Sequence, residues 1–334
     1  MKKEDLLKAL EIVKPGLANK EQIEQSTSFA FMKNRVVTYN DEISISHPLK
    51  DLGIQGAVKA DELYRLLNKL KGDEVEITEN ENEIVIESGR TKAGLVLEEE
   101  INLPLEEIGE KNEWYNLPED FSKYVKLAIG VCSRDMSRPV LTCIHIGGRY
   151  VESSDNFRII RCKLDNKIPI PEFLLPATAA VELVKLNPVK IAEGVGWVHF
   201  QTEQRTVISC RLFEDKFPDV SDLLQVEGME IKFPNTITEI LDRAMVFSKR
   251  DHTMDESVEV TLKENKIELK SKSETGWFKE SANVKYDDDP VSFATTPHLL
   301  RDILNETHTC ILCEDRLKFE VDEWTYVTTL RSVK

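Results

Sequence analysis

Two sets of helical segments recur along this 334-residue chain with the same spacing. Within each set, apolar residues have the i, i+3, i+4 pattern of an amphipathic helix. Corresponding positions, each 117 residues from the next, are Leu7, Tyr124 and Leu241 in the first set and Leu66, Leu183 and Leu300 in the second. Two independent triplets in one register indicate an internal triplication, which restricts the possible folds more than any other feature of the sequence.

Short alternating segments accompany both helical sets. Three of them follow each second helix, at 75–77, 83–86 and 95–97, then 190–191, 197–200 and 207–213, then 310–312, 317–321 and 325–330. Another strand group lies between the two helices of a repeat, for example 29–31, 35–38 and 43–45. Alternation of this kind predicts half-buried antiparallel strands.

Each repeat is therefore helix, strands, helix, strands. We predict an α+β fold made of three tandem copies of one domain, in which two helices pack on antiparallel sheets. The predicted domains are 1–112, 113–228 and 229–334, with boundaries at polar or acidic segments.

Composition restricts the location and the partners. No apolar run approaches the ~20 residues that a membrane helix needs, and the first residues lack the apolar stretch of a signal peptide, so we expect a cytoplasmic protein without a membrane partner. The formal net charge is −16. Taken alone, this charge argues against nucleic acid, because phosphate binding needs Lys and Arg. A DNA-binding function therefore requires basic residues gathered on one surface.

Neither a metal site nor an enzyme motif stands out. Most of the six cysteines lie in apolar, strand-like segments, as buried reduced thiols do. Cys310 and Cys313 have the spacing of half a zinc site, but the sequence has no second such pair. The sequence also lacks the phosphate-loop, dinucleotide-binding, zinc-protease and nucleophile-elbow motifs. We predict a protein that is not an enzyme and uses no cofactor or metal.

Three segments carry a family resemblance. VESSDNFRI (151–159) resembles the strand-turn V-A-T-D-G-H-R-L of the bacterial-type DNA polymerase sliding clamp, the processivity factor of the replicase. FLLP (173–176) followed by VELVKL (181–186) resembles its I-V-P…V-x-E-L-x-R-x-L helix entry, and SCRLFEDKFPD (209–219) is similar to its S-x-L-x-x-G-R-F-P-D segment. Their order within a threefold repeat extends the resemblance over essentially the whole chain.

The resemblance implies a head-to-tail homodimer that closes into a ring around double-stranded DNA. Such a ring tethers the replicative polymerase without reading sequence, through diffuse contacts with phosphates. The implied partners are DNA polymerase, the clamp loader and other proteins that carry clamp-binding peptides. Three domains per chain select a dimer, since clamps with two domains per chain form trimers.

The implied DNA-facing set consists of basic residues on or beside the helices, which line the hole in this family, and of Arg134 and Arg138 in a loop that resembles a family loop near the DNA. The candidates are Lys8, Lys14, Arg65, Lys69, Lys123, Lys126, Arg134, Arg138, Lys185, Arg243, Lys249, Arg250 and Arg301. Arg65 and Lys69 are four residues apart and lie off the leucine stripe of their helix, so they share a polar face. The alternative for any one of them is an ordinary solvated residue.

A second site implied by the resemblance is an apolar pocket that binds partner peptides between the second and third domains. Its candidates are Leu141, Ser154, Asn156, Phe157, Arg158, Ile159, Pro218, Leu223, Val327, and Thr329 or Leu330. Leu or Phe anchors of a peptide need such a recess. The alternative is that Leu141, Ile159 and Val327 are simply core residues.

The sequence departs from the family pattern around this pocket. Asn156 replaces the turn glycine and Phe157 replaces histidine, while Asp222 stands where a basic residue is common. Asn tolerates positive φ, so the turn is expected to survive. The C-terminus also lacks the family's M-P-M-R-L ending. These changes predict a different peptide preference, and they would suit a clamp carried by a phage or other mobile element.

One competing function comes from another class of protein. A chain with the clamp fold that does not encircle DNA would act as a scaffold or decoy for clamp-binding peptides. The net charge of −16 and the altered pocket both keep this alternative open.

Overall fold

The computed structural model describes residues 1–50, 52–109, 113–251 and 255–333. Within these residues it contains six α-helices and 24 strands, arranged as one pattern repeated three times.

The first repeat runs from α1 to β7. Its elements are α1 (Lys3–Val13), β1 (Ser28–Met32), β2 (Arg35–Tyr39), β3 (Ile43–Pro48), β4 (Gln55–Lys59), α2 (Ala60–Lys69), β5 (Glu76–Asn80), β6 (Glu83–Ser88) and β7 (Thr91–Val96).

The second repeat begins with a short extra strand. Its elements are β8 (Tyr115–Asn116), α3 (Phe121–Ile129), β9 (Cys143–Gly147), β10 (Tyr150–Ser154), β11 (Arg158–Lys163), β12 (Phe173–Pro176), α4 (Ala177–Lys185), β13 (Lys190–Glu193), β14 (Trp197–Gln201) and β15 (Val207–Arg211).

The third repeat has the same order and one added strand at its end. Its elements are β16 (Met229–Lys232), α5 (Ile237–Met245), β17 (Val258–Lys263), β18 (Lys266–Ser273), β19 (Gly276–Asn283), β20 (Val291–Thr295), α6 (Pro297–Arg301), β21 (Thr309–Leu312), β22 (Arg316–Val321), β23 (Trp324–Thr329) and β24 (Arg331–Ser332). The predicted α+β triplication is confirmed, and each predicted segment overlaps an observed helix or strand.

The buried positions set the register of the first helix in each repeat, and this register differs from the exact 117-residue spacing of the sequence. In α1, α3 and α5 the buried residues have the same i, i+3, i+4, i+7 pattern. They are Leu6, Ala9, Leu10 and Val13, then Phe121, Tyr124, Val125 and Ala128, then Ile237, Ile240, Leu241 and Ala244. By burial, Leu10 therefore corresponds to Val125 and Leu241. Relative to Leu241, the predicted register was therefore wrong by three positions at Leu7, which is only half-buried, and by one position at Tyr124.

Contacts between Cα atoms divide the chain into two compact units. Unit 1 contains Met1–Lys126, Ile146–Gly148 and Asp165–Asp215, and unit 2 contains the remaining described residues up to the C-terminal end. The middle repeat thus contributes chain to both units. The domain boundaries at 112 and 228 stay a prediction, and Asn112 itself lies outside the described residues.

Unit 1 holds a large sheet with strand order β4-β1-β2-β3-β15-β14-β13-β8 and a small one with order β5-β6-β7. In the large sheet, β3 pairs antiparallel with β15, with Ile43 opposite Cys210. A strand of the first repeat therefore continues directly into strands of the second.

Unit 2 repeats this construction. Its strands β9-β10-β11-β23-β22-β21-β16 follow one another in one sheet, and β19-β18-β17-β20-β24 form another. Here β11 pairs antiparallel with β23, with Ile159 opposite Val327. Helices α5 and α6 pack on one another, and α5 also packs on β17, β18 and β19.

No helix among the described residues is both long enough and apolar enough to cross a membrane. Cys310 lies buried in β21. The Cys313 Sγ donates to Asp315 Oδ1 at 3.4 Å. Within the described ranges no group of three or more His, Cys, Asp and Glu residues is placed to hold a metal ion.

Candidate binding sites

The predicted pocket residues all lie in unit 2, around the junction of β11 and β23. Side chains alternate along paired strands, so Ile159 and Val327 share one face of the sheet. The opposite face packs on helices, where the Tyr326 hydroxyl donates to the Leu299 carbonyl of α6. The predicted pocket is therefore on the outer face of the sheet, away from the helices of unit 2.

The apolar pocket residues fall into two classes. Leu141, Ile159 and Val327 are buried, with at most 7% of their surface exposed, as the alternative core assignment expected. Phe157 and Leu223 remain 45% and 44% exposed. A ligand on this surface would meet these two side chains first.

Backbone hydrogen bonds bring further predicted members together. Thr329 N donates to Phe157 O at 2.8 Å, and Leu330 N donates to Asp315 O at 2.7 Å. Ser154 is buried, and its Oγ donates to Arg158 O at 2.9 Å. Pro218 is exposed and lies in the segment that leads to Leu223.

The turn between β10 and β11 is organised by Asp155. Its Oδ1 accepts hydrogen bonds from the backbone N–H groups of Phe157 and Arg158, both at 3.0 Å. Asn156 adopts φ of 76°, so the expectation that Asn preserves the positive-φ turn is confirmed.

Arg158 lies beneath this turn. Its Nε donates to Asp155 Oδ2 at 2.8 Å, and the residue is only 8% exposed. In the strand alternation Arg158 faces the same side as Tyr326, opposite to Ile159. The side chain therefore stabilises the turn from below, and it is not presented beside Phe157 on the outer face.

An ionic group that the sequence reasoning missed lies on the outer face next to the pocket. Glu152 Oε1 accepts from Arg161 Nε at 2.5 Å, and its Oε2 lies 2.7 Å from His145 Nδ1. Burial raises the pKa of the Glu152 carboxyl, but the hydrogen bonds from His145 and Arg161 outweigh burial and hold the pKa below its ordinary value. Glu152 is therefore a buried carboxylate.

Two contacts connect this group to the segment that contains Leu223. The His145 ring stacks on Phe217 with centroids 5.3 Å apart, and Arg161 Nη2 donates to Ser221 Oγ at 3.1 Å. Strand alternation alone could have indicated that Glu152 and Arg161 share a face. Their link to residues some sixty positions later had no local signal in the sequence.

At the corresponding junction of unit 1, between β3 and β15, large aromatic side chains cover the sheet. Trp197 and Tyr39 are buried with ring centroids 6.2 Å apart, in a cluster that also holds Leu103 and Ile108. The Arg211 guanidinium lies 4.8 Å from the Trp197 ring centroid. Large side chains thus occupy the position that the exposed Phe157 and Leu223 border in unit 2.

The predicted DNA-facing residues lie on or next to helices or in the loop before β9. All are exposed except Arg301, which is half-buried. They are Lys8 on α1 and Lys14 after it, Arg65 and Lys69 on α2, Lys123 and Lys126 on α3, Arg134 and Arg138 in the loop, Lys185 on α4, Arg243 on α5, Lys249 and Arg250 after it, and Arg301 on α6.

Several of these cations have acidic partners. The pairs are Lys8–Glu4, Arg65–Asp61, Lys185–Glu182, Arg243–Glu280 and Arg301–Asp242, at 2.5–3.0 Å. Exposed pairs of this kind contribute little to stability and are easily exchanged. Acidic residues therefore lie beside the basic residues of the helices, and DNA phosphates must compete with these carboxylates for the same cations.

A separate concavity of about 1230 Å³ lies beside β18 and β19 in unit 2. Trp277, which is 70% exposed, lines it together with Val246 and Lys272. This concavity contains none of the predicted pocket residues and borders the free edge of a sheet.

Comparison with solved structures defines the class of fold: it is that of the DNA polymerase sliding clamp. The DNA polymerase III subunit beta of Pseudomonas aeruginosa matches with a TM-score of 0.86 and 18% identity, covering 100% of this chain and 99% of that chain. The beta subunit of Thermotoga maritima matches with a TM-score of 0.83 and 16% identity, covering 100% and 99%.

A third match is a sliding clamp from Bartonella birtlesii bound to griselimycin, with a TM-score of 0.90 and 16% identity, covering 100% of this chain and 98% of that chain. No protein-family model matches the sequence, and no curated protein matches it significantly. The likeness therefore lies in the fold, over the full length of the chain.

Proposed function

We propose that this protein is a sliding clamp that encircles duplex DNA, tethers a replicative polymerase and docks partner proteins through a peptide site. The observation that carries this proposal is the full-length match to sliding clamps, over three repeats of one domain. It acts by binding alone, with no catalytic residues, cofactor or metal, and it works in the cytoplasm.

Unpaired sheet edges support closure into a homodimeric ring. The order β20-β17-β18-β19 repeats the order β4-β1-β2-β3, and β5-β6-β7 repeats β13-β14-β15. In unit 1, β3 is joined to β15, but the corresponding strands β19 and β7 are both edge strands. Pairing β19 of one copy with β7 of another would produce the same junction between chains.

Exposed apolar side chains mark these two edges. Trp277 on β19 is 70% exposed, and Val96 on β7 is 73% exposed. Long exposed edges invite pairing with another chain. Because the two edges differ, the contact is head-to-tail, and such a contact forms a closed ring only when the rotation between copies completes a circle.

The DNA contact is diffuse and electrostatic. Exposed Lys and Arg residues recur on the helices of all three repeats, so a closed ring would present many weak phosphate contacts that carry no sequence information. Exchangeable carboxylate partners would keep each contact weak, which favours sliding over tight binding.

The peptide site is the outer face around β11 and β23. Phe157 and Leu223 supply exposed apolar surface, and the buried Ile159 and Val327 form its floor. A peptide with adjacent Leu and Phe side chains suits this surface. Griselimycin, which is bound to the sliding clamps of Pseudomonas aeruginosa and Bartonella birtlesii, is a second probe for the site.

Retention on circular DNA tests encirclement. The protein is loaded onto a nicked circle with a clamp loader and separated from free protein by gel filtration, and half of the sample is then linearised. An encircling clamp stays with the circle and leaves the linear form. Equal retention on both forms, or on neither, would instead support a scaffold or decoy that binds clamp-binding peptides without encircling DNA.

A further inference from the structure

The segment from Phe217 to Leu224 borders the proposed peptide site, and its buried side chains attach it to the rest of unit 2. Phe217, Val220 and Leu224 are buried, whereas Leu223 between them is 44% exposed. Leu223 N donates to Val220 O at 3.1 Å, which closes a tight turn. The segment therefore presents one apolar side chain and uses its neighbours as anchors.

Two contacts of the segment, at Phe217 and Ser221, are organised by one buried carboxylate. The Glu152 side chain is 7% exposed, and its two carboxylate oxygens pair with Arg161 and His145 respectively. Arg161 in turn donates to Ser221 Oγ, and His145 stacks on Phe217. These two contacts, which pass through the partners of Glu152, add to the packing of residues 222–224 on β23.

Charge explains why a carboxylate is needed here. Arg161 is only partly exposed, with its guanidinium over the Tyr150 ring at 5.2 Å, so its charge is poorly hydrated. Hydrogen bonds to ionised groups are shorter and roughly twice as strong as neutral ones. Without the Glu152 charge, Arg161 would keep only the attraction of Asp219 at this place, and its contact with Ser221 would loosen.

We propose that Glu152 is a positioning residue of the peptide site, which fixes residues 217–224 against the sheet before a peptide binds. This inference rests on the proposed peptide-docking function. It adds that the Leu223 side of the site is preformed, so that a peptide does not bear the entropy cost of ordering it.

The test compares Glu152→Gln with two other variants. Glu152→Gln keeps the size of the side chain and removes its charge. Ser221→Ala removes the link from Arg161 to the segment, together with the hydrogen bond between the Ser221 hydroxyl and Asp219 within it. Asp41→Asn is the matched control, because Asp41 pairs with Arg211 at 2.6 Å at the corresponding junction of unit 1.

Two measurements are made on each full-length variant. Fluorescence anisotropy gives the Kd for a labelled short peptide with adjacent Leu and Phe, and hydrogen exchange followed by mass spectrometry gives the protection of residues 217–225. We expect Glu152→Gln to bind about tenfold more weakly, the effect of losing one charge-assisted hydrogen bond. Exchange should be faster in 217–225 and unchanged in α5. Ser221→Ala should show a smaller effect in the same direction, and Asp41→Asn none.

The outcomes separate this inference from the function on which it rests. If the unmodified protein does not bind the peptide, the docking function fails, and the exchange data still decide whether Glu152 holds the segment. Unchanged affinity or unchanged exchange in Glu152→Gln would overturn the positioning role. A Glu152→Gln chain that does not fold leaves the decision to Ser221→Ala, whose unchanged affinity and exchange would overturn it equally.

Discussion

Arg138 Nη1 donates a hydrogen bond to the side-chain oxygen of Asn156 at 2.7 Å. This bond joins the loop before β9, which was expected to face DNA, to the turn of the proposed peptide site. The loop is further ordered by Asp135, whose carboxylate accepts from Ser137 N at 2.8 Å. Arg138 therefore uses part of its donor capacity to hold the turn at Asn156.

The conformation of Asn156 predicts a stability difference between two variants. Both Asn156→Gly and Asn156→Ala lose the bond from Arg138, but only Ala is strained at a φ of 76°. We expect Asn156→Ala to unfold with a free energy about 1 kcal/mol lower than that of Asn156→Gly. Urea titrations of both variants measure the difference, and equal midpoints would show that the turn relaxes.

The exposed apolar side chains of the peptide site predict a second result. Leu223→Ala and Phe157→Ala should each weaken binding of the Leu-Phe peptide about tenfold. Each substitution removes roughly half of the ~1.5–3 kcal/mol that burying such a side chain contributes. Val195, which is 94% exposed between β13 and β14, provides the control Val195→Ala. Anisotropy measures the affinities. If Leu223→Ala and Phe157→Ala bind the peptide as tightly as Val195→Ala does, the peptide binds at a different surface.

The periodic parts of the fold could be predicted from sequence, and the contacts between distant segments could not. Amphipathic spacing is a local signal, so the helix containing Leu7 was predicted correctly, although its buried face is centred on Leu6 and Leu10. The turn at Asn156 was also predictable, because few residues tolerate positive φ.

Side-chain direction and long-range pairing were harder to predict. Arg158 was expected in the pocket because its motif lies there, but a one-residue alternation places it on the opposite face, against Asp155. The Glu152 group joins strands β9, β10 and β11 to Ser221, and no periodicity in one sequence encodes such a meeting.

The lining helices predict a salt-dependent effect on DNA. Reversal of Arg65 and Lys69, both exposed on α2, to Glu should weaken DNA association and reduce the slope of log K against log salt by about 2, one per phosphate contact. Reversal of Lys20 and Lys33, which are exposed and outside the helices, gives the same change in net charge. Equal losses in the two double variants would mean that only net charge matters and would remove α2 from the DNA surface.

The two free sheet edges predict how to break the dimer. Trp277→Glu and Val96→Glu place charge on strands proposed to meet between copies, and each should shift the chain toward the monomer at micromolar concentration. Because both side chains are more than two-thirds exposed, the fold of one chain should lose no more than about 0.5 kcal/mol. Sedimentation velocity measures the mass, with Val195→Glu as the exposed control, and an unchanged dimer would exclude these edges.

The Glu152 carboxyl predicts how stability depends on pH. Its pKa is held below the ordinary value of 4.5 in the folded chain, because the hydrogen bonds from His145 and Arg161 outweigh the effect of burial. The unfolded chain therefore takes up this proton at a higher pH than the folded chain. The stabilisation is complete above about pH 4.5 and is lost as the pH falls through the folded pKa.

Glu152→Gln cannot titrate at this position, so the difference in unfolding free energy between the unmodified protein and the variant reports the Glu152 carboxyl together with its pairing to His145. We expect the unmodified protein to be more stable by about 1–3 kcal/mol near pH 6, the cost of leaving the partly buried charge of Arg161 unmatched. The difference should shrink as the pH falls below about 4.5 toward the folded pKa, because the unfolded chain then takes up a proton that the folded carboxylate resists. Urea titrations of both proteins at several pH values measure it. A difference that stays constant over this range would mean that the Glu152 charge does not stabilise the fold, and that only the shape of its side chain matters.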